Sequence, residues 1–303
     1  MQSWQSKVIE RFFRLRNIIK PKRGYLDVEK ARAENEALAS YFKSKVKFES
    51  LAIDANGVPA EWINPEGALD SQVILYFHGG AYNSGSINTH RSMVADLSDA
   101  CRARSLVLGY RLAPEHFFPA AVEDSRAAYE WLLGQDIPAG NIILAGDSAG
   151  GGLVMALLLD LRDAGRPLPA GGVCLSPWVD LTCSGETWET NAGRDVFLDP
   201  GSILESADVY LNGIDPKTPK ASPVFADLTD LPPLLIQVGS SEYLLSDAAD
   251  LNEKARGDGV DVTLEVYEGM QHEWHFAARF LPEARHAIAQ IGKFARIQFG
   301  ESL

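Results

Sequence analysis

An α/β fold built on a mostly parallel sheet is what this sequence predicts, and three observations carry the prediction. From residue 47 onward, short β-prone runs alternate with helix-forming stretches, the pattern of a sheet covered by helices on both faces. One run, Ile142-Ile143-Leu144-Ala145, breaks into Gly146-Asp147-Ser148-Ala149-Gly150 and continues as an apolar, helix-compatible stretch. Another, Val73 to Phe77, opens into a loop of small residues, His78-Gly79-Gly80-Ala81-Tyr82. With 303 residues and 46% hydrophobic content, the chain is long and apolar enough for a large core. Neither an internal repeat nor a low-complexity linker divides it, so one domain with a cap is simpler than two domains.

In chain order, residues 1–45 stand outside the alternation and are expected to form an N-terminal helical cap segment. Lys7, Arg11, Arg14, Arg16, Lys20, Lys22 and Arg23 face a single Glu10 there, while Trp4, Val8, Phe12, Leu15 and Ile19 recur at helical spacing. This is a basic amphipathic helix. Most such stripes are core faces, so the stripe is expected to pack on the body of the protein, with a membrane-surface or lipid contact as the competing reading. Residues 46–303 then form the main domain. Eight strands are expected at 46–54, 60–63, 73–77, 106–110, 142–145, 172–175, 234–238 and 262–267, with helices at 88–103, 119–134, 150–165, 246–257 and 282–298. Residues 180–222 mix helix and turn signals between two strands. An insertion there overhangs the ligand edge of an α/β sheet and is expected to complete the cap.

Several functions are excluded or disfavoured. A formal net charge of -13 supplies no field to offset phosphate repulsion, so nucleic acid is not an expected partner. Charged residues interrupt every apolar run near the N-terminus, so neither a signal peptide nor stable membrane insertion is expected. Cys101, Cys174 and Cys183 are odd in number and lack metal-ligand spacing, which suits packed, reduced thiols in a cytoplasm. The helix at 282–298 or an exposed edge strand could support a homodimer.

The chemistry starts at Ser148. A serine between a strand and a helix sits on a strained turn that projects it from the sheet edge, and Gly146 and Gly150 leave room for so tight a bend. A hydroxyl is a weak nucleophile without a base, and the base needs a carboxylate to fix its tautomer. In sheets carrying such an elbow these follow in the order serine, acid, histidine. His272, His275 and His286 lie downstream. His286 falls in a surface helix, whereas His272 sits in the loop after the 262–267 strand and is preferred over His275. Glu242 follows the preceding strand directly and is the expected acid; Asp247, at a helix start, is the alternative. Developing negative charge needs preorganised N–H donors. Gly80 and Ala81, with Gly79 as an alternative, and Ala149 after the serine are the expected oxyanion donors, and His78 is expected to orient their loop. Tyr82, Asp147 and Trp274 are expected substrate contacts.

Taken together, His78-Gly79-Gly80-Ala81-Tyr82, Tyr110-Arg111-Leu112-Ala113-Pro114-Glu115-His116 with Phe118-Pro119-Ala120-Ala121, Gly146 to Gly151, Ser176-Pro177-Trp178-Val179-Asp180-Leu181 and Gly269-Met270-Gln271-His272 make the chain resemble the bacterial hormone-sensitive-lipase family of esterases, within the α/β-hydrolase fold. The segments occur in family order over residues 45–300. The resemblance implies Ser148 as nucleophile, His272 as base, an N-terminal cap, and hydrolysis of short- to medium-chain acyl esters of small molecules without a cofactor. Three positions depart from the family pattern: Ala81 replaces the third glycine of HGGG, Glu242 stands where aspartate is commoner, and Glu273-Trp274 follows the histidine where a small or apolar residue is usual. A lactone or amide hydrolase differs only in leaving group, and an interfacial lipase stays open through the basic helix. A non-enzymatic small-molecule receptor, as found among similar folds that have lost the histidine, is disfavoured by His272.

Overall fold

A computed structural model describes residues 2–19 and 25–301. The side chain of Ile19 and the cations Lys20, Lys22 and Arg23 of the expected basic helix lie outside the described residues. The elements run α1 (Trp4–Ile19), α2 (Val28–Ala39), β1 (Phe48–Ala55), β2 (Val58–Pro65), β3 (Leu69–Phe77), α3 (Ile87–Cys101), β4 (Ala103–Leu108), α4 (Ala120–Gly134), β5 (Ile142–Asp147), α5 (Ala149–Asp163), β6 (Gly171–Leu175), α6 (Thr187–Thr190), α7 (Pro200–Leu211), β7 (Leu234–Gly239), α8 (Leu245–Gly257), β8 (Val262–Tyr267) and α9 (Pro282–Gln298). Their sheet has the order β1-β2-β4-β3-β5-β6-β7-β8. Pairing is antiparallel from β1 through β2 to β4 and parallel from there to β8. All eight expected strands exist.

Boundaries moved where local chemistry overrode periodicity. Helix α3 starts on a capping box, with Ser86 accepting from Thr89 N–H and the Thr89 side chain accepting from Ser86 N–H, and it ends at Cys101, two residues earlier than expected. Arg102 adopts a left-handed conformation (φ 54°) and turns the chain straight into β4, which therefore begins at Ala103 rather than 106.

Side-chain alternation along each strand sends residues to opposite faces. On one face Val73, Leu75 and Phe77 join Leu144 and the apolar run Leu153 to Leu159 of α5 in the main core. On the other, Ile74 and Tyr76 meet Met93, Val94 and Leu97 of α3 and Ile291 and Ala295 of α9. Helix α9 lies so close to α3 that a Cβ at Gly292 would strike the Ala100 carbonyl. The parallel strands β3, β5, β6 and β7 end at one edge of the sheet, and every loop of interest leaves from that edge.

Helices α1 and α2 are fastened to the body mainly by polar ties. Asn17 Nδ2 donates to Val196 O at 2.7 Å and Ser3 Oγ to Glu283 at 2.9 Å. The Arg32 guanidinium reaches Asn83 O, Ala113 O and Glu115 at 2.8, 3.0 and 2.7 Å. Phe13 is buried against Phe197, with ring centroids 4.4 Å apart. The stripe expected to pack on the body does not do so: Trp4, Val8, Phe12 and Leu15 are all exposed. The correction is one of phase, because Ile9 and Phe13, about a third of a turn away, took the inward position. Among the described residues no helix is long and apolar enough to cross a membrane, and no cluster of His, Cys, Asp and Glu has metal-ligand geometry.

Candidate active site

Ser148 closes strand β5 and precedes α5, with φ 51° and ψ -119°, a conformation that L residues avoid. Its own backbone is fixed on both sides: Ser148 N donates to Leu175 O at 2.8 Å, and its carbonyl accepts from Gly152 N at 3.1 Å and Trp178 N at 2.9 Å. The flanking glycines are required by close approach. A Cβ on Gly146 would collide with the Gly150 carbonyl, and one on Gly150 with the Phe77 carbonyl.

Across from it, the loop after β3 carries three consecutive residues with positive φ: Gly80 at 116°, Ala81 at 53° and Tyr82 at 59°. Among the described residues the N–H groups of Gly80, Ala81 and Ala149 donate to no protein acceptor. Gly79 differs, since its N–H donates to Asp147 Oδ2 at 3.0 Å and is thereby taken out of the expected donor set. His78 stacks on Tyr110 (centroids 4.3 Å apart) and its Nδ1 lies 2.8 Å from Gly79 O. Burial and the neighbouring His90 push its pKa down to about 4, so it is a neutral prop for the loop.

The third wall comes from the loops after β7 and β8. Glu242, fully buried, accepts from Gly239 N at 2.6 Å and from Ser176 Oγ at 2.8 Å. Its other oxygen is 2.8 Å from His272 Nδ1. Burial raises the Glu242 carboxyl, against the hydrogen bonds that favour its charge. The His272 ring also meets Glu273, whose Oε1 is 3.5 Å from Nε2. Burial alone would lower His272, but the charges of Glu273 and Glu242 lift it to about 9.

Glu273 adopts a left-handed backbone conformation (φ 55°) and is tied to Asp147. Burial, then the Asp147 charge, holds the Glu273 carboxyl well above its usual range. Burial also opposes ionisation of Asp147, yet His90 and hydrogen bonds from Glu273 and Tyr76 keep that carboxylate well below its own. The two carboxyls share a site that disfavours charge on both, and of the two Asp147 is the better stabilised as a carboxylate.

These walls border a cavity of about 410 Å³, whose lining includes Ser148, Gly79, Gly80, Ala81, His272, Glu273 and Trp274. Apolar side chains from four other segments complete it: Ile9 and Phe13, Leu38 and Phe42, Phe197 and Leu198, and Phe276 and Leu281. Such a volume, with a lining that mixes these apolar side chains with polar ones, is that of a small-molecule site.

Two expected substrate contacts are corrected. Asp147 alternates to the α3 face of β5, where Tyr76 Oη (2.5 Å), His90 Nε2 (3.0 Å) and Gly79 N–H surround it, fully buried and away from the cavity. Tyr82 is buried behind its loop, stacked on Tyr210 with centroids 3.9 Å apart. Trp274 does reach the cavity wall. Of the alternatives, Asp247 is not brought to His272; its carboxylate accepts from Val179 N and Asp180 N, both at 3.0 Å, and burial lifts it to about 8. His275 is turned into the core against Gln237 (2.9 Å), and burial pushes it down to about 3. His286 is exposed. Sequence reasoning missed Ser176, His90 and Tyr76 as supports. Ser176 lay within a motif already noted, whereas nothing in the local sequence marked His90 or Tyr76 as partners of Asp147.

A strand-turn-helix serine, a buried carboxylate–imidazole pair and amide donors on one cavity, all at the carboxyl edge of this sheet, define the class: a hydrolase of the α/β-hydrolase fold. Comparison with known proteins agrees. The alpha/beta hydrolase fold family matches residues 74–276. An acetyl-hydrolase of Streptomyces hygroscopicus is 47% identical over 270 residues, covering 87% of this chain and 90% of the relative. The crystal structure of an esterase from the bacterial hormone-sensitive lipase family superposes with a TM-score of 0.94 at 45% identity, covering 99% of this chain and all of the other. An esterase/lipase from an uncultured bacterium gives 0.94 at 44%, with the same coverage. The chain belongs to the bacterial hormone-sensitive lipase family and is a carboxylic ester hydrolase.

Proposed function

We propose that Ser148, His272 and Glu242 are the catalytic triad of this esterase and that its substrates are small esters of short to medium acyl chain. The observation that carries the assignment is the 2.8 Å bond between His272 Nδ1 and Glu242, which fixes the tautomer and leaves Nε2 for the cavity that Ser148 lines. His272 takes the Ser148 proton as Oγ bonds to the ester carbonyl carbon. The N–H groups of Gly80, Ala81 and Ala149 hold the oxyanion, and Glu242 stabilises the imidazolium. Collapse of the tetrahedral intermediate breaks the bond to the alcohol oxygen, which takes the proton from His272. Water then gives its proton to His272, attacks the acyl-enzyme and releases the acid as Ser148 recovers its proton.

Chain-length preference rests on the cavity, which is about 410 Å³ and has apolar side chains such as Phe13, Leu38 and Phe42 in its wall. The name of the Streptomyces relative, an acetyl-hydrolase, agrees with a short acyl group. Residues 1–45 and 180–222 act as the cap over a catalytic domain of 46–303; this reading is supported by Ile9, Leu38, Phe42 and Phe197 on the cavity wall. Free Cys101, Cys174 and Cys183 support a reducing compartment such as the cytoplasm. For a homodimer, α9 spends its apolar face on α3, which leaves the two edge strands, β1 with Leu51 exposed and β8 with Val266 exposed, as the pairing surfaces.

A fluorophosphonate probe and a p-nitrophenyl ester series test the proposal. Wild type is expected to be labelled at Ser148 and to lose activity beyond medium chains. Labelling that persists in Ser148→Ala would overturn the triad, and undiminished activity on long chains would overturn the substrate class.

A further inference from the structure

Helix α1 has two apolar faces. Phe13 and Ile9 point inward and line the cavity. Trp4, Val8, Phe12 and Leu15 point outward, at 71%, 54%, 62% and 60% exposure. At 100° per residue these four fall within a sector of about 80°, so the outward face is one continuous apolar strip. Single exposed apolar residues are ordinary, whereas a contiguous strip marks a contact surface.

What surrounds the strip selects the partner. Lys7, Arg11 and Arg14 flank it on one side and Arg16 on the other, all exposed. Glu10 is the only acid in the helix, it is half-buried, and it pairs with Arg14 at 2.8 Å. The sequence continues with Lys20-Pro21-Lys22-Arg23. All this occurs in a chain of net charge -13, so the helix is a local positive patch on an acidic protein. A second copy of the chain would bring like charge to like charge at this helix. An anionic bilayer instead offers headgroups to the cations and acyl chains to the strip, the arrangement of interfacial amphipathic helices.

We propose that α1 docks the enzyme peripherally on anionic phospholipid surfaces. Docking lays the membrane on the outer face of the helix whose inner face walls the substrate cavity, so esters dissolved in the bilayer are delivered within one helix diameter, about 10 Å, of that wall. The helix lies on the surface and does not span it.

The test is flotation of the full chain with phosphatidylglycerol vesicles and with phosphatidylcholine vesicles. Binding is expected to the anionic vesicles only and to be lost in roughly 0.5 M salt. It should come with a blue shift in tryptophan emission that Trp4→Phe removes. Lys7→Glu with Arg11→Glu, and separately Trp4→Ser with Val8→Ser and Leu15→Ser, should each weaken binding by about tenfold or more, while kcat/KM on a short water-soluble ester stays unchanged. The retained activity shows that the variants fold and separates this proposal from that of the triad. Absence of binding to anionic vesicles, or binding that both sets of variants leave intact, overturns it. So does a dimer that both sets convert to monomer without wild type ever floating.

Discussion

The two halves of the proposed catalytic centre are held by different physics. On the β3 and β5 side, Ser148 and the Gly80-Ala81-Tyr82 loop are set by backbone: positive φ values, glycines pressed against carbonyls, and hydrogen bonds between main-chain atoms. On the β7 and β8 side, Glu242, His272 and Glu273 are set by buried titratable side chains that fix one another. The comparison teaches where each half should fail. Backbone placement is insensitive to pH and intolerant of added atoms, whereas side-chain placement tolerates isosteric change and responds to protons.

The largest expected effect is on the backbone-set half. Ser148→Ala should lower kcat by about 10⁴-fold or more with the melting temperature nearly unchanged; steady-state assay beside thermal melts checks both. Next comes Glu242→Gln, which keeps the shape of the side-chain-set half but inverts the partner's hydrogen bonding to His272 Nδ1. A loss of about 10³-fold in kcat is expected, and a loss below tenfold would move the acid elsewhere. Glu273→Gln sharpens the comparison further. The substitution removes whatever charge Glu273 carries 3.5 Å from Nε2, a charge that raises His272, so the acidic limb of kcat/KM against pH should move to lower pH, by up to about 1 unit. A fixed limb would show that Glu273 stays neutral and leaves the base alone.

The smallest effect on catalysis is expected for Asp247→Asn. Burial lifts Asp247 to about 8, so between its usual range and about pH 8 the folded state holds a proton that the unfolded state has released. Its contribution therefore favours folding at low pH and fades as pH rises through about 8. The variant should show a flatter loss of stability between pH 5 and pH 9 in urea titrations, with kcat changed by less than about threefold.

The backbone-set half was largely legible in the sequence because glycine is a local signal: Gly146, Gly150 and Gly79-Gly80 announce tight turns wherever they occur. The pairing of Glu242 with His272 was legible through strand order and loop position. Their supports were not, because Ser176, His90 and Tyr76 reach their partners through the sheet and across its layers, which no local spacing encodes. Asp147 was misread for a related reason: its place beside the serine says nothing about which face of β5 it takes. The two most amphipathic helices make the same point at larger scale. Helix α9 buries Ala284, Ala287, Ile288, Ile291 and Ala295, while α1 exposes the stripe that its sequence displays most clearly. Periodicity reveals that a stripe exists; what covers it depends on the neighbours.

Tyr82 closes the run of positive φ and is clamped from both sides, by its stack on Tyr210 of α7 and by Ala113 N–H on its carbonyl at 2.9 Å. A conformation of this kind persists only while its surroundings impose it, and α7 belongs to the excursion between β6 and β7 rather than to the sheet. Warming should therefore loosen that excursion first, and the enzyme should fall silent some degrees before it melts. Residual activity after brief heating, set against circular dichroism on the same samples, would show the gap; Tyr210→Ala should widen it.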